Sequence, residues 1–178
     1  ATPSRIWLDW VFAKAFDIEV SLDASTSDFY FNTITEKLQQ DEFRPRALFD
    51  RYGLEVLATT ESPLETLEHH KTIRESGWGG KVITAYRPDP VVDPEFEGFA
   101  DNLARFGELT GEDTMTWSGY LAAHRNRRDY FARFGATSTD HGHPTATTAN
   151  LAPAEARDLF NRVKYGGASA ADCELFRG

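Results

Sequence analysis

Leu54-Glu55-Val56-Leu57-Ala58-Thr59, then Ser62-Pro63-Leu64-Glu65, then Lys81-Val82-Ile83-Thr84-Ala85-Tyr86: these three stretches decide the fold class. The first and third are apolar and β-branched, the pattern of strands buried on both faces. Between them, Ser62 suits a helix cap, Pro63 the first helical position and Glu65 the return arm of a capping box. This predicts a helix over residues 62–76, stopped by Gly77. The second run starts 27 residues after the first, the length of one strand-loop-helix-loop unit. A third short run, residues 136–139, starts 55 residues after Lys81, and helical patterns over 93–109 and 116–134 fill the difference. Strands separated by helices pair in parallel through right-handed crossovers. The class is therefore α/β. Three parallel strands leave both sheet edges open, whereas a β/α barrel closes with eight strands over about 250 residues. The expected architecture is part of a (β/α)8 barrel.

Outward from this unit, the chain divides into a helical segment, residues 1–53, and partial barrel units, residues 54–178. Residues 4–16 form a helix with Ile6, Trp7, Leu8, Trp10, Val11, Phe12 and Phe16 distributed almost all round, a pattern that predicts burial on several sides. Helices are also expected over 25–40 and 44–53, the latter ended by Gly53, and over 153–165 and 169–176 near the C-terminus.

The composition, 40% hydrophobic and 26% charged, is that of an ordinary globular protein. Nineteen basic against 28 acidic residues leave a net charge of -9, which argues against a nucleic-acid surface and implies that any anionic ligand needs a local cation. No apolar run approaches the roughly 20 residues needed to span a bilayer, so no membrane role is expected. The single cysteine, Cys173, excludes an intrachain disulfide and a thiolate metal cage, and fits a reducing cytoplasm.

Polar side chains at strand ends are where such folds place their chemistry. Three ends are polar here: Thr59-Thr60, Arg87-Pro88 and Asp140-His141. Pro88 biases Arg87 toward extended backbone, and a guanidinium held there can clamp a carboxylate; pairing to Asp89 or Asp140 is the competing use. His141-Gly142-His143 has a spacing that can bring two imidazoles to one ion, or can be a simple turn before Pro144. The adjacent His69 and His70 diverge around a helix and are read as structural. Arg125, Arg127, Arg128 and Arg133 are read as a solvated helix face.

Several segments in this order resemble the uronate (glucuronate) isomerase family of the amidohydrolase superfamily. They are Phe43-Arg44-Pro45-Arg46-Ala47-Leu48, Val56-Leu57-Ala58-Thr59-Thr60 with Pro63-Leu64, and Leu67-Glu68-His69-His70. Ser76-Gly77-Trp78, Tyr86-Arg87-Pro88-Asp89 and Ala136-Thr137-Ser138-Thr139-Asp140-His141-Gly142 follow. The resemblance implies a metal-dependent barrel enzyme that interconverts aldose and ketose uronates, glucuronate and fructuronate for instance. It implies substrate binding by Arg87 and catalytic positions for Asp140 and His141, with the three strands being the second to fourth of eight. It also implies a divalent metal, zinc by expectation, in the intact enzyme. The family's metal-binding His-x-His follows the first strand, so the ligands of that ion are expected outside this chain, no metal ligand is assigned within it, and His143 is read as a turn residue. An internal fragment is thus expected, inactive alone and completed by missing barrel segments or self-association. The alternatives are a non-catalytic interaction module and a small metal-dependent hydrolase using His141 and His143.

Overall fold

A computed structural model describes residues 2–178. The chain divides into two units, Ala1–Glu55 and Val56–Gly178.

The first unit is helical: α1 Pro3–Phe16, α2 Ser27–Leu38, a 3-10 turn Asp41–Phe43 and α3 Pro45–Arg51. Thr2 caps α1 through its side chain, and Pro3 and Pro45 open their helices where no donor is needed. Phe12 meets Tyr30 edge-on and Phe16 stacks on Phe43. The expectation that α1 is buried on several sides is not met. Only Ala15 is buried, while Ile6, Trp7 and Trp10 are more than half exposed. An all-round apolar helix needs neighbours on every side, and α2 with the 3-10 turn covers one.

The second unit holds β1 Leu57–Glu61 and β2 Val82–Tyr86, paired in parallel with Thr59 opposite Thr84. The helices are α4 Glu68–Glu75, α5 Asp89–Val92, α6 Phe99–Thr110, α7 Trp117–Arg133, α8 Pro153–Val163 and α9 Ala170–Arg177. The parallel strands with intervening helices are compatible with part of an α/β barrel. The third expected strand shrinks to one parallel bridge between Tyr86 and Thr139. The Tyr86 N–H donates to Ser138 O (3.1 Å) and the Asp140 N–H to Tyr86 O (3.0 Å). Gly135, at φ 91°, turns the chain in beneath Ile83, whose Cγ2 would stand 2.7 Å from any Cβ at that position. The run is too short, and bounded too closely by Gly135 and Gly142, to extend the ladder.

Residues 62–67 are also not helical, contrary to the capping pattern. Ser62 Oγ accepts from the Leu64 N–H in a turn, and α4 begins only at Glu68, after Leu67 in the left-handed region. The reason lies on α7. Arg127, 5% exposed, donates from Nε to Pro63 O (2.8 Å) and from Nη2 to Glu65 O (2.6 Å), and Tyr130 Oη donates to Thr66 O (2.5 Å). Carbonyls engaged this way gain charge-assisted bonds that a helix would not offer them. Arg127 therefore does not belong to a solvated face. Its guanidinium also lies 4.2 Å from the Tyr130 ring centroid.

The core joins Val91, Phe99, Leu103 and Phe106 to Tyr120, Ala123 and Phe160, with Leu67, Tyr86 and Phe131 as a second cluster. His124 is buried at the seam, its Nδ1 sharing a 2.8 Å hydrogen bond with Tyr86 Oη. Burial first, then the Arg128 charge, holds its pKa down at about 3. Among the described residues, no helix is long and apolar enough to cross a membrane.

Two predictions follow from these buried polar groups. Arg127→Ala should cost about 2–4 kcal/mol in urea unfolding, because it strips donors from two carbonyls and leaves a cavity; a midpoint like the parent's would contradict the assignment. His124 is neutral in the folded state and protonates near pH 6.5 when unfolded. Its contribution to stability is complete above about pH 6.5 and is lost as pH falls toward about 3, at up to about 1.4 kcal/mol per pH unit. Unfolding midpoints between pH 7 and 4 should fall less steeply in His124→Phe than in the parent, and equal slopes would remove His124 as the titrating group.

Candidate functional site

The C-terminal ends of β1, β2 and the Thr139 bridge lie side by side, so Thr60, Arg87 and Asp140 share one rim. The Arg87 N–H donates to Glu61 O (2.9 Å), continuing the ladder past β2. Thr60 Oγ1 donates to Asp140 Oδ2 (3.1 Å), tying the first strand to the third run. Arg87 donates from Nε to Asp89 Oδ2 (2.7 Å), and its Nη1 stands 3.7 Å from Asp140 Oδ2. Its hydrogen bond to Asp89, with the charges of Asp140 and Asp89, holds the guanidinium protonated well into the basic range. Both carboxylate pairings open to Arg87 on sequence are therefore present together. The side chain stays 44% exposed, which leaves its outer edge free to meet an anion from solvent.

Asp89 is the residue that sequence reasoning undervalued. It opens α5, is buried, and uses both carboxylate oxygens: Oδ2 takes Arg87 and Oδ1 takes the Gly142 N–H at 2.8 Å. The signal was present in Arg87-Pro88-Asp89, where Pro88 turns the chain directly after the strand and returns the next carboxylate toward its own Arg. Gly142 permits the approach. A Cβ there would stand 2.6 Å from Arg87 Nη2 and 3.2 Å from Asp89 Oδ2.

Holding Gly142 against Asp89 places His141 and His143 on either side of it. Their rings lie 5.0 Å apart, edge to face, and one ligand-type atom from each of Asp89, His141 and His143 falls within 4.8 Å of the others. Two imidazoles and a carboxylate are a donor set that a divalent ion of the zinc class accepts. The expectation of a chain without metal-ligating residues, and of His143 as a turn residue, had not included Asp89. Burial first, and the neighbouring His143, lower the pKa of His141, which favours its neutral form.

His141 also borders a cleft of about 260 Å³ lined by Pro88, Tyr120, His124, Arg125 and Arg128 among others. Arg87 and Asp140 do not line it. His70 is buried and shares a 2.8 Å hydrogen bond with Thr59 Oγ1, and His69 is exposed; neither joins the rim.

A model of the glucuronate isomerase family matches residues 1–177. The uronate isomerase of Sphingopyxis alaskensis is 65% identical over 99% of this chain, which covers 38% of that protein. That of Xanthomonas campestris pv. campestris strain B100 is 62% identical, again over 99% of the chain and 37% of the relative. Among solved structures, glucuronate isomerase from Caulobacter crescentus superposes with a TM-score of 0.90 at 54% identity, over 99% of this chain and 37% of that one. Uronate isomerase from Thermotoga maritima gives 0.85 at 25% identity, over 99% and 39%. The chain thus spans little more than a third of the length of these relatives.

Proposed function

The chain belongs to the glucuronate isomerase family, and from that premise we propose that it is the central part of a uronate isomerase. The intact enzyme interconverts aldose and ketose uronates, glucuronate and fructuronate for instance, by moving a proton between C1 and C2. The observation that carries this reading is the rim itself: Arg87, Asp140 and His141 side by side at parallel strand ends, in a chain matched by the family along its length. The strands take the second to fourth places of a (β/α)8 barrel, and residues 1–53 form an added helical segment before residues 54–178.

Arg87 binds the sugar carboxylate. Asp89 and Asp140 hold the guanidinium from the inner side, so its remaining N–H groups meet the anion without reorganising. Asp140, steadied by Thr60, accepts from a sugar hydroxyl, and His141 beside it hydrogen-bonds a substrate hydroxyl or water. A divalent metal in the intact enzyme supplies Lewis-acid polarisation of the substrate oxygens. The net charge of -9 fits an enzyme without a nucleic-acid partner.

A second reading, a non-catalytic interaction module, draws on α1, where exposed Ile6, Trp7 and Trp10 offer apolar surface to missing barrel segments or a second copy. Sedimentation velocity tests the module: a monomer at every concentration counts against it.

The 178-residue chain alone should not isomerise glucuronate, because the rim closes only one side of a site; turnover by purified chain of confirmed mass would sink that expectation. In an intact isomerase carrying this segment, Arg87→Ala should lower kcat/KM about 100-fold, chiefly through KM, and Arg87→Lys should recover little because one ammonium cannot replace a two-pronged donor. An unchanged kcat/KM in Arg87→Ala would remove the arginine from the substrate site.

A further inference from the structure

We propose that Asp89, His141 and His143 form a binding site for one divalent ion of the zinc class, contained within this chain. Three independent features of the geometry meet there. The first is convergence. One ligand atom from each residue lies within 4.8 Å of the other two, and among the described residues no other set of three such groups is gathered this closely. Two ring nitrogens and one carboxylate oxygen leave the remaining coordination positions to water, the pattern of an open zinc site.

The second is an unanswered group. His143 Nε2 is buried and has no hydrogen-bond partner. A buried imidazole nitrogen left this way costs about 1–3 kcal/mol, and a metal ion beside Asp89 is the ligand that supplies the missing interaction. The third is preorganisation. The loop that carries both histidines is held on the carboxylate by the Gly142 N–H (2.8 Å), and the Cβ-free Gly142 allows that contact. Arg87 holds the same carboxylate through its other oxygen at 2.7 Å. Each carboxylate oxygen keeps a second lone pair after these bonds, so the ion adds to the network without displacing it. Donors of this kind, outside the ligands themselves, are what orient a metal site. His141 binds through one ring nitrogen and keeps the other for a hydrogen bond. The nearby guanidinium opposes a cation and so lowers the expected affinity.

The site rests on these contacts and not on the isomerase reading, so either can fail alone. The test uses the 178-residue chain freed of metal with a chelator. Equilibrium dialysis against Zn²⁺ should show one equivalent bound, and Co²⁺ in its place should give visible absorption with the intensity of a low-symmetry nitrogen and oxygen site. His141→Ala and His143→Ala should each weaken Zn²⁺ binding about tenfold or more, and Asp89→Asn should do the same. His69→Ala, an exposed histidine outside the cluster, should bind as the parent does. Saturating Zn²⁺ should raise the unfolding temperature of the parent and not of His143→Ala. Should Asp89→Asn fail to fold, the two loop histidine variants carry the test. Absence of stoichiometric uptake at micromolar Zn²⁺ would overturn the proposal, as would parent-like binding by His143→Ala.

Discussion

The Asp89 carboxylate is the contact on which the strand-end rim of the second unit depends. Its two oxygens take different partners, one Arg87 at the end of β2 and the other Gly142 in the loop beyond the third run. A buried carboxylate is stable only when its oxygens are answered. Answering them here joins two segments some fifty residues apart and fixes where Arg87, His141 and His143 stand. A loop of glycine, histidine and proline would otherwise have many conformations of similar energy.

Helix α7 makes a second set of contacts close to the same strand ends. Arg127 and Tyr130 hold the turn after β1 through its carbonyls, and His124 answers the hydroxyl of Tyr86. Arg127 is buried because its donors are used on backbone oxygens and its stem and charge lie against Tyr130 and Phe131. Further along, Arg177 of α9 meets Asp93, Glu95 and Glu174 and anchors the last helix to the segment after α5. Burial opposes its charge, but the three acidic partners outweigh that and raise its pKa.

The first unit shows the opposite economy of contacts. Its helices satisfy their ends, with Thr2 on the first N–H groups and proline where donors are superfluous, yet α1 keeps two tryptophans and an isoleucine largely in solvent. Local propensity formed this helix without enough surface to cover it.

The α/β class, the two strands and most helices were legible in the chain, because strand and helix periods and cap residues act over a few neighbours, and the family was legible in an ordered set of short motifs. The sequence also marked Arg87, Asp140 and His141, since a polar residue at the end of an apolar run is visible without coordinates. The turn at residues 62–67 was not legible there, because the distant Arg127 outweighed a local capping pattern. Tertiary structure likewise reduced the run at 136–139 to a single bridge and brought Asp89 to His141 and His143. Each of these outcomes rests on polar atoms far apart in the chain meeting where water is excluded, and no local pattern records which distant donor will reach a given acceptor.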